Sequence, residues 1–321
     1  MTGPVPIGLW RAPAVDLPTI SVILPTRDRP AYLRAAAESV LAQTLRPAEL
    51  VVVDDGSRDC AARVLDALPQ SGTFPVRRLR GPRSGPAAAR NAGLRKAVGE
   101  LVAFLDDDDV WLPEKLEWQA RWFAARPSLG LVGTDCVRTH DPAGEQFGLG
   151  KQPRRLRRVS RGALLRGNRL AMSSVMARRE CFSECGCFEE SLSLAQDWDM
   201  WLRIGARWTI GIVPAPLTLY RLHGGQRSAD HAAMRSWEVE VVSRALARGG
   251  LGGRWLEGVA RRRLAWAHCR LGRVLAREGE REQAVQELKQ AMRAFRCHPV
   301  VWGALTRCVL SGGALAGARE L

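Results

Sequence analysis

Apolar and polar positions come in blocks along the first half of the chain, and the blocks read in turn as strands and helices. Thr19 to Leu24 is apolar and β-branched, the pattern of a buried strand. It stops at Pro25-Thr26-Arg27-Asp28-Arg29-Pro30. Pro30 suits the first turn of a helix whose apolar positions are Tyr32, Leu33, Ala36, Val40 and Leu41. Glu49 to Val53 predicts a second buried strand, ending in Asp54-Asp55-Gly56-Ser57, where Ser57 or Asp59 can cap a helix from Ala61 to Leu68. A weaker strand, Val76 to Leu79, precedes the loop Gly81 to Pro86 and an alanine-rich helix, Ala87 to Val98. Leu101 to Leu105 predicts a fourth strand, Pro113 to Ala125 a helix and Leu129 to Val137 another strand. Farther on, Ser160 to Gly167 reads as a short helix and Ala171 to Ala177 as a strand. Asp197, Trp198, Met200, Trp201, Leu202 and Ile204 mark the start of an amphipathic helix.

This alternation predicts an α/β fold, a mainly parallel sheet with helices on both faces, binding its ligands beyond the carboxyl ends of the strands. Three strands end in polar clusters, Thr26 to Asp28, Asp54 to Ser57 and Asp106 to Asp109, which should gather at one rim. Four carboxylates closing a buried strand repel one another and are costly without a cation among them. Asp106 to Asp109 therefore either hold a divalent metal or form a solvated acidic turn. The first strand is not followed by G-x-G-x-x-G, and G-x-x-x-x-G-K-[ST] does not occur, so neither a dinucleotide turn nor a P-loop is present. An acid ending the second strand suits a ribose hydroxyl or a base N–H. Acids ending the fourth suit Mg²⁺ or Mn²⁺, which bridge to substrate phosphates. Together they suggest a nucleotide-activated donor whose diphosphate leaves with the help of a metal.

At these residues the chain resembles family 2 glycosyltransferases of the GT-A fold. The matching segments begin with Ser21 to Arg29 (SVILPTRDR), Ser39 to Thr44 (SVLAQT) and Val51 to Ser57 (VVVDDGS). They continue with Ala89 to Gly93 (ARNAG), Phe104 to Asp109 (FLDDDD), Gly186 to Glu190 (GCFEE) and Gln196 to Arg203 (QDWDMWLR). Their order and spacing follow the family over about residues 19–228. The resemblance implies that Pro25, Thr26 and Asp28 line the nucleotide pocket, that Asp55 faces the base, and that Arg90 and Asn91 lie near the donor phosphates or sugar. It puts Asp106 and Asp108 in the D-x-D positions, with Asp107 still a candidate because the register of four acids can slip by one. Asp108 and a late histidine, His223, become metal ligands; Arg227 could reach the diphosphate, since a guanidinium matches phosphate geometry, or simply be solvated. Asp197 takes the place of the general base, and Gln196 stands where the family often has an acid. The implied activity is inverting transfer of a sugar from a nucleotide-sugar, UDP-linked, to a carbohydrate or lipid-linked acceptor, as in cell-surface polysaccharide or glycoconjugate synthesis.

Residue types by themselves leave several of these roles open. An acid in the first turn of a helix is favoured by the helix dipole whether or not it is a base, so Asp197 fits both readings. Asp199, two positions on, points elsewhere. A lone histidine in a glycine-rich loop, such as His223, is equally compatible with simple exposure.

Beyond residue 229 the pattern turns helical. Helices are predicted over Ala229 to Arg248, Arg254 to Glu278, Glu280 to Arg296 and Pro299 to Leu310, with Gly249-Gly250-Leu251-Gly252-Gly253 as a break. Leu271-Gly272, Leu275, Gly279, Ala284, Leu288 and Ala291 have the spacing of a tetratricopeptide repeat, although His268 and Arg296 depart from it. A single repeat cannot bury its own face. This extension therefore packs on the catalytic domain, pairs with a second copy, receives a protein partner or simply covers the sheet. The expected organisation is an N-terminal extension (1–18), the transferase domain (19–228) and the helical extension (229–321).

Composition adds little to this picture. The net charge of +15 invites a nucleic-acid reading, but only four of the 48 basic residues are lysines, the mark of a whole-sequence arginine bias, and no nucleic-acid partner is expected. The dense run Lys151 to Arg158 suits an anionic lipid surface, a phosphorylated acceptor or a solvated loop. Eight scattered cysteines, with no C-x2-C pair, fit free thiols better than zinc. With no run of about 18 apolar residues and no signal-like start, a cytoplasmic location is expected, with peripheral contact at the inner face of the membrane as a variant. Two other classes stay in view. A nucleotidyltransferase shares such a sheet but normally has glycines after the first strand. A non-catalytic scaffold would act through the helical extension.

Overall fold

The computed structural model describes residues 16–58, 60–68, 74–81, 83–140, 153, 155–224 and 231–295. Asp59, Arg227, the helix expected from Pro299, residues 1–15 and much of the basic run (Lys151, Gln152, Arg154) lie outside them. The chain runs β1 (Ile20–Thr26), α1 (Pro30–Leu41), β2 (Glu49–Asp54), α2 (Cys60–Asp66), β3 (Val76–Arg80), α3 (Pro86–Lys96), β4 (Leu101–Phe104), β5 (Val110–Trp111), α4 (Lys115–Ala125) and β6 (Leu129–Thr139). It continues with β7 (Arg157–Val159), α5 (Arg161–Arg166), β8 (Met176–Arg178), α6 (Glu180–Cys185), α7 (Gln196–Arg207), β9 (Thr209–Arg221) and the helices α8 (His231–Arg248), α9 (Arg254–Arg277) and α10 (Arg281–Ala294).

One sheet carries the nine described strands in the order β3-β2-β1-β4-β8-β6-β9-β5, with β7 also paired to β9. Strands β1 to β4 are parallel to one another. The side beyond β4 is mixed, because β8 enters antiparallel to both β4 and β6, and β9 carries antiparallel β5 and β7. The sheet is thus less uniformly parallel than the sequence pattern predicts. Only the second half of the strand expected at Ala171 to Ala177 pairs, since Met172–Ser174 forms a 3-10 turn.

Every residue of β1, β2 and β4 is buried, which is why these strands read as unbroken apolar runs. Alternate side chains feed two cores. Val22 and Leu24 pack with Leu33, Val40 and Phe123 of α1 and α4 on one face. Ile23 packs with Leu94, Phe104, Phe188 and Trp201 on the other. Each such fully buried side chain contributes about 1.5–3 kcal/mol. Gly93 of the ARNAG segment is needed here: a Cβ at this position would come within 2.6 Å of Ile23 Cγ2, so only glycine lets α3 approach β1 this closely.

The C-terminal helices are not a separate body. Val241 and Val242 of α8 join Leu192 and Trp198 in one apolar cluster, and Leu256 and Ala260 of α9 pack on Leu165 of α5. The repeat-like residues Ala284, Leu288 and Ala291 close α10 onto Cys269 of α9. Of the four expected uses of this extension, the structure shows packing against the sheet-bearing part. Among the described residues no helix is long and apolar enough to cross a membrane.

Candidate active site

Because β1, β2 and β4 are neighbours and parallel, their carboxyl ends meet at one rim, as the polar clusters predict. A cavity of about 610 Å³ opens there. Its lining includes Pro25, Thr26, Asp55, Arg90, Asp106, Asp107, Asp108 and Asp197 of the expected residues, together with Arg29, Gly85, Gln196 and Tyr220.

The acidic turn is neutralised from several sides. The guanidinium of Arg29 bridges two of its acids, Nη1 lying 3.2 Å from Asp107 Oδ1 and 2.8 Å from Asp108 Oδ2. Thr26 Oγ1 donates to the other oxygen of Asp107 at 2.8 Å. Burial pushes the Asp107 carboxyl up to about 6, with Thr26 and Arg29 pulling it back and Asp108 and Asp106 adding to the rise. Asp109 is deeper still, and burial raises it well above the ordinary range. It accepts the backbone N–H of Arg221 at 3.1 Å, and Arg221 Nε donates to the Asp108 carbonyl at 3.0 Å. Arg221 thereby fastens the end of β9 to the turn and sets His223 Nε2 3.0 Å from Asp108 Oδ2. Asp106 is held by its N–H to Ser173 Oγ (3.0 Å) and by an ion pair with Arg90.

Arg90 connects this turn to α7. It is buried, pairs with Asp106 and donates to Gln196 Oε1 at 3.2 Å. Gln196 uses its amide nitrogen to donate to the carbonyls of Leu192 (2.7 Å) and Ser193 (3.1 Å). A carboxylate could accept from Arg90 but could not make those two donations, so the family's common acid would leave this loop untied. Ala195, just before, is held at φ 57°, a left-handed conformation costly for a residue with a Cβ. Asp197 follows, half-buried. Its Oδ1 accepts the Trp198 N–H at 2.7 Å and its Oδ2 accepts Asn168 Nδ2 at 2.6 Å. Burial raises its carboxyl above the ordinary range, while these two donors and Arg90 hold the rise down. A hydrogen-bonded carboxylate with a raised pKa at a cavity wall can accept a proton. Asp199 is wholly buried and paired with Arg203 and Arg248, turned away from the cavity.

Three expected donor contacts have other partners in this structure. Asn91 does not line the cavity. Its amide donates to the Phe188 carbonyl (2.9 Å) and to Glu190 (2.8 Å), and its oxygen accepts the Phe188 N–H (2.9 Å). The ARNAG and GCFEE segments are therefore partners of one another. Asp28, at φ 53°, ties the first loop to the second by donating its N–H to Ser57 and accepting that of Arg58. Asp55 reaches the cavity edge while its two oxygens accept the N–H groups of Ser84 (3.1 Å) and Gly85 (2.8 Å), shaping the loop before α3. Arg29, Asn168, Ser173 and Arg221 were not legible as site residues in the sequence. Of these only Arg29 had a local signal, as one of the two arginines of the PTRDR turn at the rim.

Among the described residues no three His, Cys, Asp or Glu side chains form a ready-made metal cage. The groups that could hold a divalent ion are the Asp108 carboxylate and the His223 imidazole, 3.0 Å apart, with Arg29 2.8 Å from the same Asp108 oxygen.

The solved structures that resemble this fold include S. aureus TarS 1-349 in complex with UDP-GlcNAc (TM-score 0.66, 17% identity, 86% of this chain and 81% of that one). Another is the mannosyltransferase PcManGT from Pyrobaculum calidifontis in complex with GDP-Man and Mn²⁺ (TM-score 0.60, 19% identity, 92% and 81%). At these identities the likeness is one of fold. An uncharacterised glycosyltransferase of Haemophilus influenzae is 30% identical over 220 residues, covering 66% of this chain and 71% of its own. One of Rickettsia felis is 28% identical over 214 residues, 64% of this chain, and the chain spans only a third of its length. Residues 21–175 match the model described as glycosyl transferase family 2. On the shared sheet, the segments gathered at its rim and these relatives, the chain belongs to glycosyl transferase family 2.

Proposed function

We propose that this chain transfers a sugar from a nucleoside-diphosphate sugar, UDP-linked, to a hydroxyl of a carbohydrate or lipid-linked acceptor, with inversion at the anomeric carbon. The observation that carries the reading is the presence, in one cavity, of an acidic turn with a histidine beside it and a separate, hydrogen-bonded carboxylate, Asp197. Asp108 and His223 would hold a divalent cation together with the donor diphosphate, with Asp106 and Asp107 alongside. When bound, the metal offsets the charge that develops on the departing diphosphate. Thr26 and Arg29 hold the acidic turn in place, and Pro25 and Asp55 border the space for the nucleoside. Arg90 fixes Asp106 relative to the start of α7, and so fixes the turn relative to Asp197. Asp197 takes the proton of the acceptor hydroxyl as the new C–O bond forms and the bond to the diphosphate breaks. Its raised pKa brings the carboxyl closer to the working range of a general base.

The structural complexes of the fold neighbours, one with UDP-GlcNAc and one with GDP-Man and Mn²⁺, support a nucleotide-sugar donor and a divalent ion. The test is a panel of UDP-glucose, UDP-galactose, UDP-N-acetylglucosamine and GDP-mannose with Mn²⁺ or Mg²⁺, read by thermal stabilisation and by release of the nucleotide. Asp197→Asn should bind UDP within about threefold of wild type and lose turnover by roughly 10²–10⁴-fold, the range for a general base. A variant that keeps turnover, or loses UDP binding in the same proportion, refutes the assignment.

A further inference from the structure

Arg263 lies where the C-terminal helices meet the segment that carries Asp197. It belongs to α9 and is 9% exposed. Its Nε donates to the carbonyl of Arg166, the last residue of α5, at 2.9 Å. Its Nη2 pairs with Glu238 of α8 at 3.0 Å, and its guanidinium lies 5.2 Å from the ring centre of Trp198. Both hydrogen bonds that Asp197 accepts come from these two contact points. One donor is the N–H of Trp198 itself, whose indole is also pinned by the Leu164 carbonyl of α5 at 2.7 Å. The other is Asn168, two residues past Arg166, with its amide orientation set by Leu170 N–H donating to its oxygen at 3.1 Å.

The side chain is a poor choice if its task were only to fill space. Its Nη1 is buried with no partner, and a buried charge is weak evidence for stability, since an apolar residue of similar volume often does as well. What a planar guanidinium adds is geometry: three fixed directions reaching a carbonyl, a carboxylate and a ring at once.

We propose that Arg263 is a positioning residue for sugar transfer, reaching from the helical extension to lock the end of α5 and Trp198 against each other and thereby fixing both donors to the Asp197 carboxylate. The proposal rests on the reading of Asp197 as the base. It makes α8 and α9 part of the catalytic framework rather than an appended module. The charged groups that face Asp197 from other elements are Arg90 of α3 and Asp106 of the acidic turn, and neither touches Arg263.

The test uses the full chain with Arg263→Met, Arg263→Lys and Leu288→Ala, beside Asp197→Asn. UDP release is followed from the best-hydrolysed UDP-sugar of the panel above, UDP binding is measured with Mn²⁺, and thermal midpoints are recorded. Arg263→Met should lower kcat at least tenfold with donor KM and UDP affinity within twofold. It should also move the acid limb of the kcat profile to higher pH, because the charged form of Asp197 loses well-placed donors. Arg263→Lys keeps the charge but not the fork, and should show the same loss, which preserves the test if the methionine variant does not fold. Leu288→Ala, which loosens α10 on α9 without touching Arg263, should keep kcat within twofold even where it lowers the midpoint as much. Wild-type kcat and pH profile in both Arg263 variants overturns the positioning role, as does loss of activity in Leu288→Ala in step with stability. If Asp197→Asn is inactive while the Arg263 variants are normal, only the positioning role falls; if Asp197→Asn is active, the base assignment falls and takes this one with it.

Discussion

Asn91 sits in a motif associated with the donor, yet in this structure it holds protein to protein, and its removal separates the two roles. The side chain is 3% exposed and makes three hydrogen bonds: two close a ring with the N–H and C=O of Phe188, and the third reaches Glu190. In Asn91→Ala the backbone groups of Phe188 lose both partners in a buried site. Each such group costs about 1–3 kcal/mol when left unmet, and partial entry of water brings the total to roughly 2–4 kcal/mol. Phe188 keeps its apolar anchorage, with ring centres 5.3 Å from Phe104 and 6.1 Å from Trp201, so the loop loosens without unfolding the core. For a chain of this size 1 kcal/mol corresponds to about 1.5 °C, so the thermal midpoint should fall by roughly 3–6 °C. Urea denaturation and thermal melting read the stability, and calorimetric titration of UDP with Mn²⁺ reads the site. The expected outcome is a clear loss of stability with UDP affinity within about threefold of wild type. Wild-type stability with a tenfold or greater loss of UDP affinity would show that Asn91 touches the donor, and would refute the reasoning.

Asp107→Asn tests the buried charge. Its carboxyl titrates at about 6 instead of 3.8, so the folded state takes up the proton first as pH falls. The cost of ionising it is absent below pH 3.8 and complete above about pH 6. The variant should therefore exceed wild type in stability by about 2–3 kcal/mol at pH 8, with the difference vanishing near pH 4 in urea melts. Gly93→Ala should cost about 1–3 kcal/mol, because the new methyl meets Ile23 at 2.6 Å between two rigid elements; an unchanged urea midpoint would mean that α3 shifts freely. His223→Ala should weaken UDP binding in Mn²⁺ by about tenfold, roughly 1.4 kcal/mol, and leave binding in EDTA unchanged. Equal loss in both conditions would give His223 a role other than metal ligation. Gln196→Glu should lower the thermal midpoint by disconnecting Leu192 and Ser193, even though it strengthens the pairing with Arg90.

The sequence by itself determined the half of the sheet that is buried on both faces. β1, β2 and β4 are continuous apolar runs because no alternate position faces water, and a run of that kind ending in acids has few meanings. It also determined the rim, since parallel neighbours necessarily end together, and it picked out most of the carboxylates, because such a cluster is costly wherever it is not functional. In the mixed half only β6 and part of β8 were legible. β5 has two residues and β7 three, too short for a pattern, and β9 is interrupted by Pro214 and Pro216. The tertiary structure alone decided what each polar atom does. Asn168 and Asp197 are 29 positions apart, Asn91 and Phe188 97, and Arg221 and Asp109 112, and no local periodicity records such pairings. Arg263 and Trp198, far apart in the chain, likewise meet only once α9 has docked. Local patterns report which groups must be buried or exposed. Which partner satisfies a buried group is settled only when distant segments are packed together, and at this rim those partners set the geometry.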